Sequence, residues 1–217
     1  MTDFLYNYVE DIYSQKGEDG INKKIFLDLN ITDGVVLEIG AWDGFYLSNT
    51  AALWSISDNY KGILIESSNV LNKKDLESEY DNIECFVEAA SDENTLENII
   101  DKCKFDVTED NFVLASIDID GNDLEVAKSL GKYKPIILIV EPNGDYKEKT
   151  NPEGSTIEEL VEFGFDFGYE FIGMSGFVNK DPGNLYFIRK DYKSHFKICE
   201  QEWEKRGILL TDGKPVL

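Results

Sequence analysis

Three carboxylates stand within six residues of one segment of the sequence. They are Asp118, Asp120 and Asp123, and they follow an apolar run typical of a buried strand. Like charges this close raise one another's pKa unless a cation, hydrogen bonds or solvent intervene. We therefore treat these acids as candidate catalytic residues, each able to remove a proton from a hydroxyl group. Asp118 and Asp120 are also candidate ligands, with Glu141, for a divalent cation, and oxygen-only ligands favour magnesium, manganese or calcium over zinc.

The same segment must be compared with two other acidic motifs. An EF-hand calcium loop does not fit, because its invariant glycine would fall at the sixth position, which is Asp123. The string Asp118-Ile119-Asp120-Gly121 obeys the Asp-x-Asp-Gly pattern of phosphoaspartyl hydrolases, with Asp118 as nucleophile. Three candidate strands precede this string, however, and no GDxxxD element follows it. A metal-dependent hydrolase is therefore the alternative and not the leading interpretation.

A loop near the N-terminus is typical of a cofactor site. An apolar run ends there beside two glycines, Gly40 and Gly44, and two acids, Glu38 and Asp43. Strand, glycine turn and helix in this order bind cofactors in open α/β sheets. A dinucleotide pyrophosphate favours backbone N–H groups without nearby carboxylates, and the spacing is GxxxG rather than GxGxxG. The acidic loop suits a cationic cofactor, S-adenosylmethionine, better on Coulomb grounds.

A further acid, Glu66, ends the second candidate strand. A carboxylate at that position accepts hydrogen bonds from ribose hydroxyls, whichever cofactor is bound. Strands one and four flank the switch point of a doubly wound sheet, so we expect Asp118 to lie across the crevice from Gly40. One crevice would then hold Glu38, Glu66 and Asp118.

The composition is that of a folded and strongly acidic protein. The 217 residues are 42% apolar, and 43 acids against 21 bases give a formal charge of −22. This charge repels phosphate backbones, and no basic patch offsets it, so we expect no nucleic-acid partner. The longest apolar run, residues 136–140, is too short to span a bilayer, so we expect no membrane association and a cytoplasmic location. Three widely spaced cysteines favour reduced thiols.

Short apolar runs alternate with helical patterns along the chain. This alternation predicts an α/β fold with a Rossmann-like, doubly wound and mostly parallel sheet. We expect one domain over residues 1–217, with a cap of two helices at 1–32 and a core at 33–217. Ser155 and Glu158 have capping-box spacing before a later helix. The seven predicted strands are Val35–Glu38, Gly62–Glu66, Ile83–Val87, Phe112–Ile117, Ile136–Glu141, Tyr169–Met174 and Asn184–Arg189.

Seven segments, in their order and spacing, resemble the FkbM-type branch of the class I S-adenosylmethionine-dependent methyltransferases. The resemblance covers most of the chain. It implies a seven-stranded sheet whose last strand runs antiparallel, and transfer of a methyl group to a small-molecule acceptor, a sugar or natural-product hydroxyl. The segments are Ser14–Gly20, Glu38–Gly44, the string SIDIDGND at 116–123, Val140–Asn143, and residues 154–160, 168–169 and 184–189.

The resemblance also assigns residues to the cofactor, part by part. Asp118 would stand near its reactive end. The other expected contacts are Glu38, Gly40, Ala41 and Gly44 at the methionine end, Glu66 and Ser67 at the ribose, Ala90 and Ser91 near the adenine, and Gln15 and Asp19 over the amino-acid moiety.

The general base that removes the proton of the acceptor must be a histidine or an acid. The only histidine, His195, falls in a predicted C-terminal helix with Cys199 and Trp203, and we expect it at the surface. An acid should then remove the proton of the acceptor.

A non-catalytic scaffold that keeps the fold is the alternative from another class of function. The oligomeric state is open.

Overall fold

A computed structural model describes residues 5–91, 93–144, 148–177, 181–195, 209–211 and 214–216. A 3-10 helix at Leu5–Tyr8 comes first, and another, Lys190–His195, follows the last strand of the main sheet. The helices are α1 (Glu18–Leu29), α2 (Ala51–Trp54), α3 (Lys73–Glu79), α4 (Leu96–Asp101), α5 (Asp123–Lys128) and α6 (Ile157–Phe167). The strands are β1 (Gly34–Ile39), β2 (Tyr60–Glu66), β3 (Ile83–Val87), β4 (Phe112–Ile117), β5 (Ile137–Val140), β6 (Tyr169–Phe177), β7 (Asp181–Arg189), β8 (Leu209–Thr211) and β9 (Lys214–Val216).

Seven of the strands form one sheet in the order β3-β2-β1-β4-β5-β7-β6. Strands β1 to β5 are parallel, and β7 runs antiparallel to both β5 and β6. The order reverses between β1 and β4, which is the switch point where ligands bind in open α/β sheets. The predicted Rossmann-like, mostly parallel sheet with an antiparallel last strand is confirmed. Strands β8 and β9 form a separate pair that the sequence did not predict.

Apolar side chains cover both faces of the central strands. In β1 every residue is buried, and Val35, Leu37 and Ile39 pack into one core cluster, with helices α4 to α6. Val36 faces the other cluster, which includes residues of α1 and α2. Successive side chains of a strand point to opposite faces, so a continuous apolar run is what a strand buried on both sides requires.

The prediction of two helices in the N-terminal cap is wrong for the first of them. From residue 5, where the described part of the chain begins, a single 3-10 turn forms, and residues 9–17 make a loop before α1. The carboxylate of Asp19 stabilises this loop, because its Oδ2 accepts hydrogen bonds from the backbone N–H groups of Ile12, Tyr13 and Ser14. Val9 and Ile12 are consequently more than half exposed and form no buried helical face.

Helix α6 begins one residue later than its sequence pattern predicted. Thr156, not Ser155, is the N-cap, and its hydroxyl accepts a hydrogen bond from the Glu159 N–H at 3.2 Å. The Glu159 carboxylate accepts the N–H of Thr156 in return, which completes a capping box. The helix ends at Gly168 in the left-handed conformation.

The expected C-terminal helix through Phe196, Cys199 and Trp203 lies outside the described residues.

Within the parts of the chain that the structure describes, no helix has the length and apolar character needed to cross a membrane.

Candidate functional site

A cleft of about 510 Å³ opens at the carboxyl ends of the parallel strands, beside the switch point. Its walls come from the loops that follow β1, β2, β3 and β4, with one contribution from the loop before α6. The lining residues are Ile39, Gly40, Trp42, Ile65, Glu66, Ser67, Ser68, Glu88, Ala89, Ala90, Asp118, Ile119, Asp120, Gly121, Asn122 and Glu153.

Strand register places four of the predicted residues in one row across this edge. Ile39 of β1 is paired with Ile65 of β2 and with Ile117 of β4. Ile117 is in turn paired with Val140 of β5. The next residue on each strand is therefore level with the others. This row contains Gly40, Glu66, Asp118 and Glu141.

Gly40 and Asp118 lie against each other at the floor of the cleft. The N–H of Asp118 donates to the carbonyl of Ile39 at 3.2 Å. Gly40 has φ 81°, and a β-carbon on it would stand 1.8 Å from the Asp118 carbonyl oxygen. Glycine is the residue that fits both the left-handed conformation and this close approach. The structure thus places the backbone of Asp118 directly against Gly40, whereas the topology argument expected the two residues on opposite sides of the crevice.

The Glu66 carboxylate is held in a fixed position at the wall of the cleft. Its Oε2 accepts the N–H of Trp42 at 3.0 Å, and its Oε1 accepts the N–H of Ser68 at 2.8 Å and the hydroxyl of Ser67 at 3.2 Å. A carboxylate has about four acceptor sites, so about one of them is left for a donor from a ligand. Glu66 can therefore receive a ligand hydroxyl group without any change in its own geometry.

Trp42 is a lining residue that sequence reasoning missed. It is 52% exposed and has φ 48°, which is unusual for a bulky side chain. Backbone conformations of this kind persist where the surrounding structure holds them, here through the Trp42 N–H bond to Glu66. An aromatic residue between two glycines was the available signal.

Glu38 does not line the cleft, contrary to the sequence-based expectation. Its carboxylate lies below the row and is 4% exposed. The hydroxyls of Ser48 and Thr50 donate to Oε2 at 2.5 and 2.6 Å, and the N–H of Asn49 donates to Oε1 at 2.7 Å. Burial raises the pKa of Glu38 to about 7, with a smaller contribution from the Asp118 charge. Glu38 therefore fixes the loop after β1 and has no free face toward a ligand.

Ala41 and Gly44 are not among the lining residues either. Ala41 is buried, and its N–H donates to the Ile65 carbonyl at 3.1 Å. Gly44 has φ 93° and packs near Leu76. Both shape the backbone of the loop, and their expected contact with the cofactor stays a prediction.

Gln15, Asp19 and Ser91 also lie away from the cleft lining. Gln15 and Ser91 are exposed, and the Ser91 hydroxyl accepts the N–H of Asn94. Asp19 is buried where it holds the loop before α1, and it lines a different cavity. Ala90 and Ser67 do line the cleft, as expected.

Three carboxylates at the cleft edge form a compact group. Asp118, Asp120 and Glu141 each present one oxygen, and these oxygens lie within 4.8 Å of one another. Burial raises the pKa of Glu141 to about 8, and the charge and hydrogen bond of Asp118 add to this rise. Burial raises the pKa of Asp118 as well, against its hydrogen bond to Glu141. This rise favours the protonated form of Glu141 at neutral pH, in which its carboxyl group can donate a hydrogen bond to Asp118.

Asp123, the third acid of the segment, is not brought to the cleft. It is fully buried at the start of α5, where its Oδ1 accepts the N–H of Ile119 at 2.8 Å and its Oδ2 the N–H of Gly121 at 3.0 Å. Burial raises its pKa to about 7. These bonds hold the turn in which Asp120 has φ 59°, so Asp123 is a positioning residue.

A buried polar network behind Asp118 links distant parts of the chain and was also missed. Asn184 of β7 is hydrogen-bonded to the Asp118 carboxylate, which opposes the rise in the pKa of Asp118. The Glu18 carboxylate at the start of α1 accepts the Ser175 hydroxyl at 2.6 Å and lies 3.5 Å from Asn184 Nδ2. Burial raises the pKa of Glu18. Contacts between residues so far apart in sequence leave no local pattern.

The cleft is strongly acidic. Among the described residues that line it are five acids and no lysine or arginine: Glu66, Glu88, Asp118, Asp120 and Glu153. Such a surface attracts positively charged ligands and repels phosphate groups.

Solved structures share this fold. The CMeT domain of the citrinin polyketide synthase matches with a TM-score of 0.52 and 11% identity over 83% of this chain and 55% of that one. A SAM-dependent methyltransferase from Aquifex aeolicus matches with a TM-score of 0.46 and 15% identity over 76% of this chain and 88% of that one. The precorrin-6y C5,15-methyltransferase from Geobacter metallireducens matches with a TM-score of 0.45 and 16% identity over 83% of this chain and 92% of that one.

The class of fold follows from the sheet order together with the similarity to the citrinin CMeT domain. The chain has the Rossmann-like fold of the class I S-adenosylmethionine-dependent methyltransferases. No family model and no curated protein matches the sequence. The FkbM-type assignment therefore stays a prediction.

Proposed function

We propose that this protein is an S-adenosylmethionine-dependent methyltransferase, and that it methylates a hydroxyl group of a small acceptor, a sugar or natural product. The observation that carries the proposal is the position of Glu66. It ends the second strand of a methyltransferase-type sheet, lines the cleft and has its carboxylate oriented by three hydrogen bonds. An acid at this position is suited to bind ribose hydroxyls.

The residues of the cleft fit this cofactor on two further grounds. A β-carbon at residue 40 would overlap the Asp118 carbonyl oxygen, so the backbone of the first loop approaches the β4 loop as closely as glycine permits. The lining is acidic and lacks cationic side chains among the described residues, which suits a sulfonium and disfavours a pyrophosphate. When bound, the cofactor supplies an electrophilic methyl group.

The residues of the cleft would bind the cofactor and accept the proton of the acceptor. Glu66 and Ser67 orient the ribose, and Ala89 and Ala90 give an apolar surface for the adenine. Asp118 lies at the floor of the cleft, against Gly40, where its carboxylate can accept the proton of an acceptor hydroxyl. Alignment of the two reactants by these walls lowers the barrier to an in-line transfer.

A divalent cation is a further part of the proposal. The donor set of Asp118, Asp120 and Glu141 is entirely oxygen, and burial together with the Asp118 charge raises the pKa of Glu141 to about 8. A cation of the magnesium type suits such ligands, and it would acidify a hydroxyl group bound beside it.

Calorimetric titration with S-adenosylmethionine and S-adenosylhomocysteine tests the cofactor assignment, with NAD as the control ligand. We expect micromolar binding of the first two and none of NAD. Glu66→Gln should weaken binding at least about tenfold, because a neutral amide replaces the acceptor for hydroxyl donors. Glu125→Gln is the matched control, since Glu125 is exposed on α5 and should bind as the wild type does.

The other outcomes separate the remaining interpretations. Absence of cofactor binding by the folded wild type would overturn the methyltransferase proposal and favour the phosphoaspartyl-type hydrolase. Cofactor binding without turnover over a broad panel of hydroxyl acceptors would favour the scaffold.

A further inference from the structure

One asparagine of β7 is level with the acids at the cleft edge. Strands β5 and β7 pair in antiparallel register, and Val140 lies opposite Leu185. The next residue of β5, Glu141, is therefore opposite Asn184, and directly opposite side chains share a face of the sheet. Asn184 is 4% exposed and is hydrogen-bonded to the Asp118 carboxylate. The proposed proton acceptor thus has a neutral, buried hydrogen-bond donor beside it.

A closed ring of hydrogen bonds holds Asn184 in turn. The backbone N–H of Asn184 donates to Ser175 Oγ at 2.9 Å, and the Ser175 hydroxyl donates to Glu18 Oε1 at 2.6 Å. Asn184 Nδ2 lies 3.5 Å from the same Glu18 oxygen, which closes the ring. The other oxygen, Glu18 Oε2, accepts the backbone N–H of Lys16 at 2.7 Å. Both oxygens of the Glu18 carboxylate are therefore fixed at the start of α1.

This ring determines which end of the Asn184 amide faces the acids. Three donors converge on the Glu18 carboxylate, and an ionised carboxylate only accepts hydrogen bonds. The amide must therefore turn Nδ2, and not Oδ1, toward Glu18. Nδ2 carries two hydrogens in a fixed plane, so one can point at Glu18 and the other at Asp118. A flipped amide would place its oxygen against the Glu18 carboxylate.

Stability alone gives little reason for this arrangement. Glu18 and Ser175 are both fully buried, and withdrawal of a carboxylate from water opposes folding even when the group is hydrogen-bonded. Apolar side chains of the same shape can be as stable as a buried polar pair. What the ring provides is a fixed direction for a single amide, and that amide is bonded to Asp118.

We propose that Asn184 is a positioning residue for methyl transfer, and that Glu18 and Ser175 hold it in place. Asn184 keeps the Asp118 carboxylate in the orientation in which it accepts the proton of the acceptor hydroxyl. Asn184 is not among the residues that line the cleft, so it acts through Asp118 and not on the cofactor. The role rests on the proposed function, because it assigns Asp118 the proton transfer. Misplacement of a reacting group by about 1 Å can cost about a hundredfold in rate.

Crystal structures of the wild type, Asn184→Ala and Asn82→Ala test the orientation of Asp118. Asn82 is a matched control, because it is 3% exposed and its Nδ2 donates to the carbonyls of Trp54 and Tyr60 at 2.8 and 2.9 Å. It directly precedes β3, at the edge of the sheet opposite the cleft. We expect the Asp118 carboxylate to turn or to occupy two orientations in Asn184→Ala alone. An unmoved carboxylate in that variant would overturn the proposal.

Kinetics with an acceptor from the hydroxyl panel tests the functional role. Asn184→Ala should lower kcat at least about tenfold and leave the KM for S-adenosylmethionine within about twofold. Asn82→Ala should lose stability to a similar extent and keep its kcat. Equal kcat values in the two variants, or a raised KM with unchanged kcat in Asn184→Ala, would refute the positioning role.

A milder variant and the wild type complete the design. Ser175→Ala removes one oxygen from the ring and provides the test if Asn184→Ala does not fold. It should lower kcat about threefold or more, with the KM for S-adenosylmethionine unchanged. An unchanged kcat in a folded Ser175→Ala variant would contradict the role of the ring. Calorimetry on the wild type shows separately whether the cofactor binds, and the orientation of Asp118 in the crystals does not depend on that result.

Discussion

The carbonyl oxygen of Asp118 stands 1.8 Å from the position that a β-carbon on Gly40 would occupy. The loops that follow β1 and β4 therefore touch through backbone atoms. Because φ of Gly40 is 81°, both the space and the conformation at this position require glycine. This contact sets the floor of the cleft on which the proposed cofactor site depends.

Gly40→Ala should therefore destabilise the protein and abolish cofactor binding. A left-handed conformation alone costs about 1–2 kcal/mol for alanine, and the overlap with the Asp118 backbone should raise the total to at least about 3 kcal/mol. Gly168→Ala is the matched control, because its φ is 101° but its β-carbon would meet only Lys134 Nζ at 3.5 Å. Denaturant unfolding and calorimetry measure the two effects. Similar losses in the two variants would refute the steric argument.

Trp42 should report directly on ligand binding in the cleft. We expect its fluorescence to change on addition of S-adenosylhomocysteine, since its half-exposed ring lines the cavity beside Glu66. Trp42→Phe should lose this signal and keep most of the affinity, whereas Trp42→Ala should bind about tenfold more weakly. Trp203→Phe is the control for the background signal. A signal that persists in Trp42→Phe would show that the ligand binds elsewhere.

Glu38 should make the protein less stable as the pH rises from about 4.5 to about 7. Its pKa is 4.5 as a free side chain and about 7 in the fold, so within this window the unfolded chain loses the proton first. The corresponding loss of unfolding free energy is about 3 kcal/mol, complete above pH 7. Glu38→Gln should remove this part of the pH dependence in urea unfolding curves measured across the window. An unchanged slope in the variant would show that Glu38 does not cause it.

Magnesium should raise the melting temperature if the carboxylate group at the cleft edge holds a cation. At about 100 times its Kd a ligand adds about 2.7 kcal/mol, which is several degrees for a chain of this size. Asp120→Asn should abolish the increase without loss of fold, because Asp120 is exposed and asparagine tolerates its φ of 59°. Glu153→Gln, also at the cleft but outside the group, should keep it. No increase in the wild type would remove the cation from the mechanism.

The positions of the strands could be predicted from the sequence because they depend on local patterns. The central strands β1, β4 and β5 are short, mostly apolar runs, and their burial on both faces leaves that signature in the residues themselves. The first N-terminal helix could not be predicted correctly, although its apolar spacing was helical. The Asp19 carboxylate, several residues further on, accepts hydrogen bonds from the backbone N–H groups that a helix would use for its own hydrogen bonds.

Glu38 and Glu66 show the limit of the same reasoning at the site. Both are acids at the ends of apolar strands, and the sequence assigned both to the cofactor. The register that pairs Ile39 with Ile65 puts Glu66 level with Gly40 at the cleft, and Glu38 two positions below that level. Three donors from the following loop then enclose the Glu38 carboxylate.

By itself, then, the sequence determined the sheet architecture, the acidic character of the protein and the segments that meet at the switch point, because hydrophobic periodicity and charge are properties of neighbouring residues. Only the tertiary structure decided which acids face the cleft, that the carboxyl groups of Asp118 and Glu141 are hydrogen-bonded to each other, and that Asp19 and Asn22 line a second cavity. These relationships depend on strand register and on contacts between residues far apart in the chain, which no local pattern records.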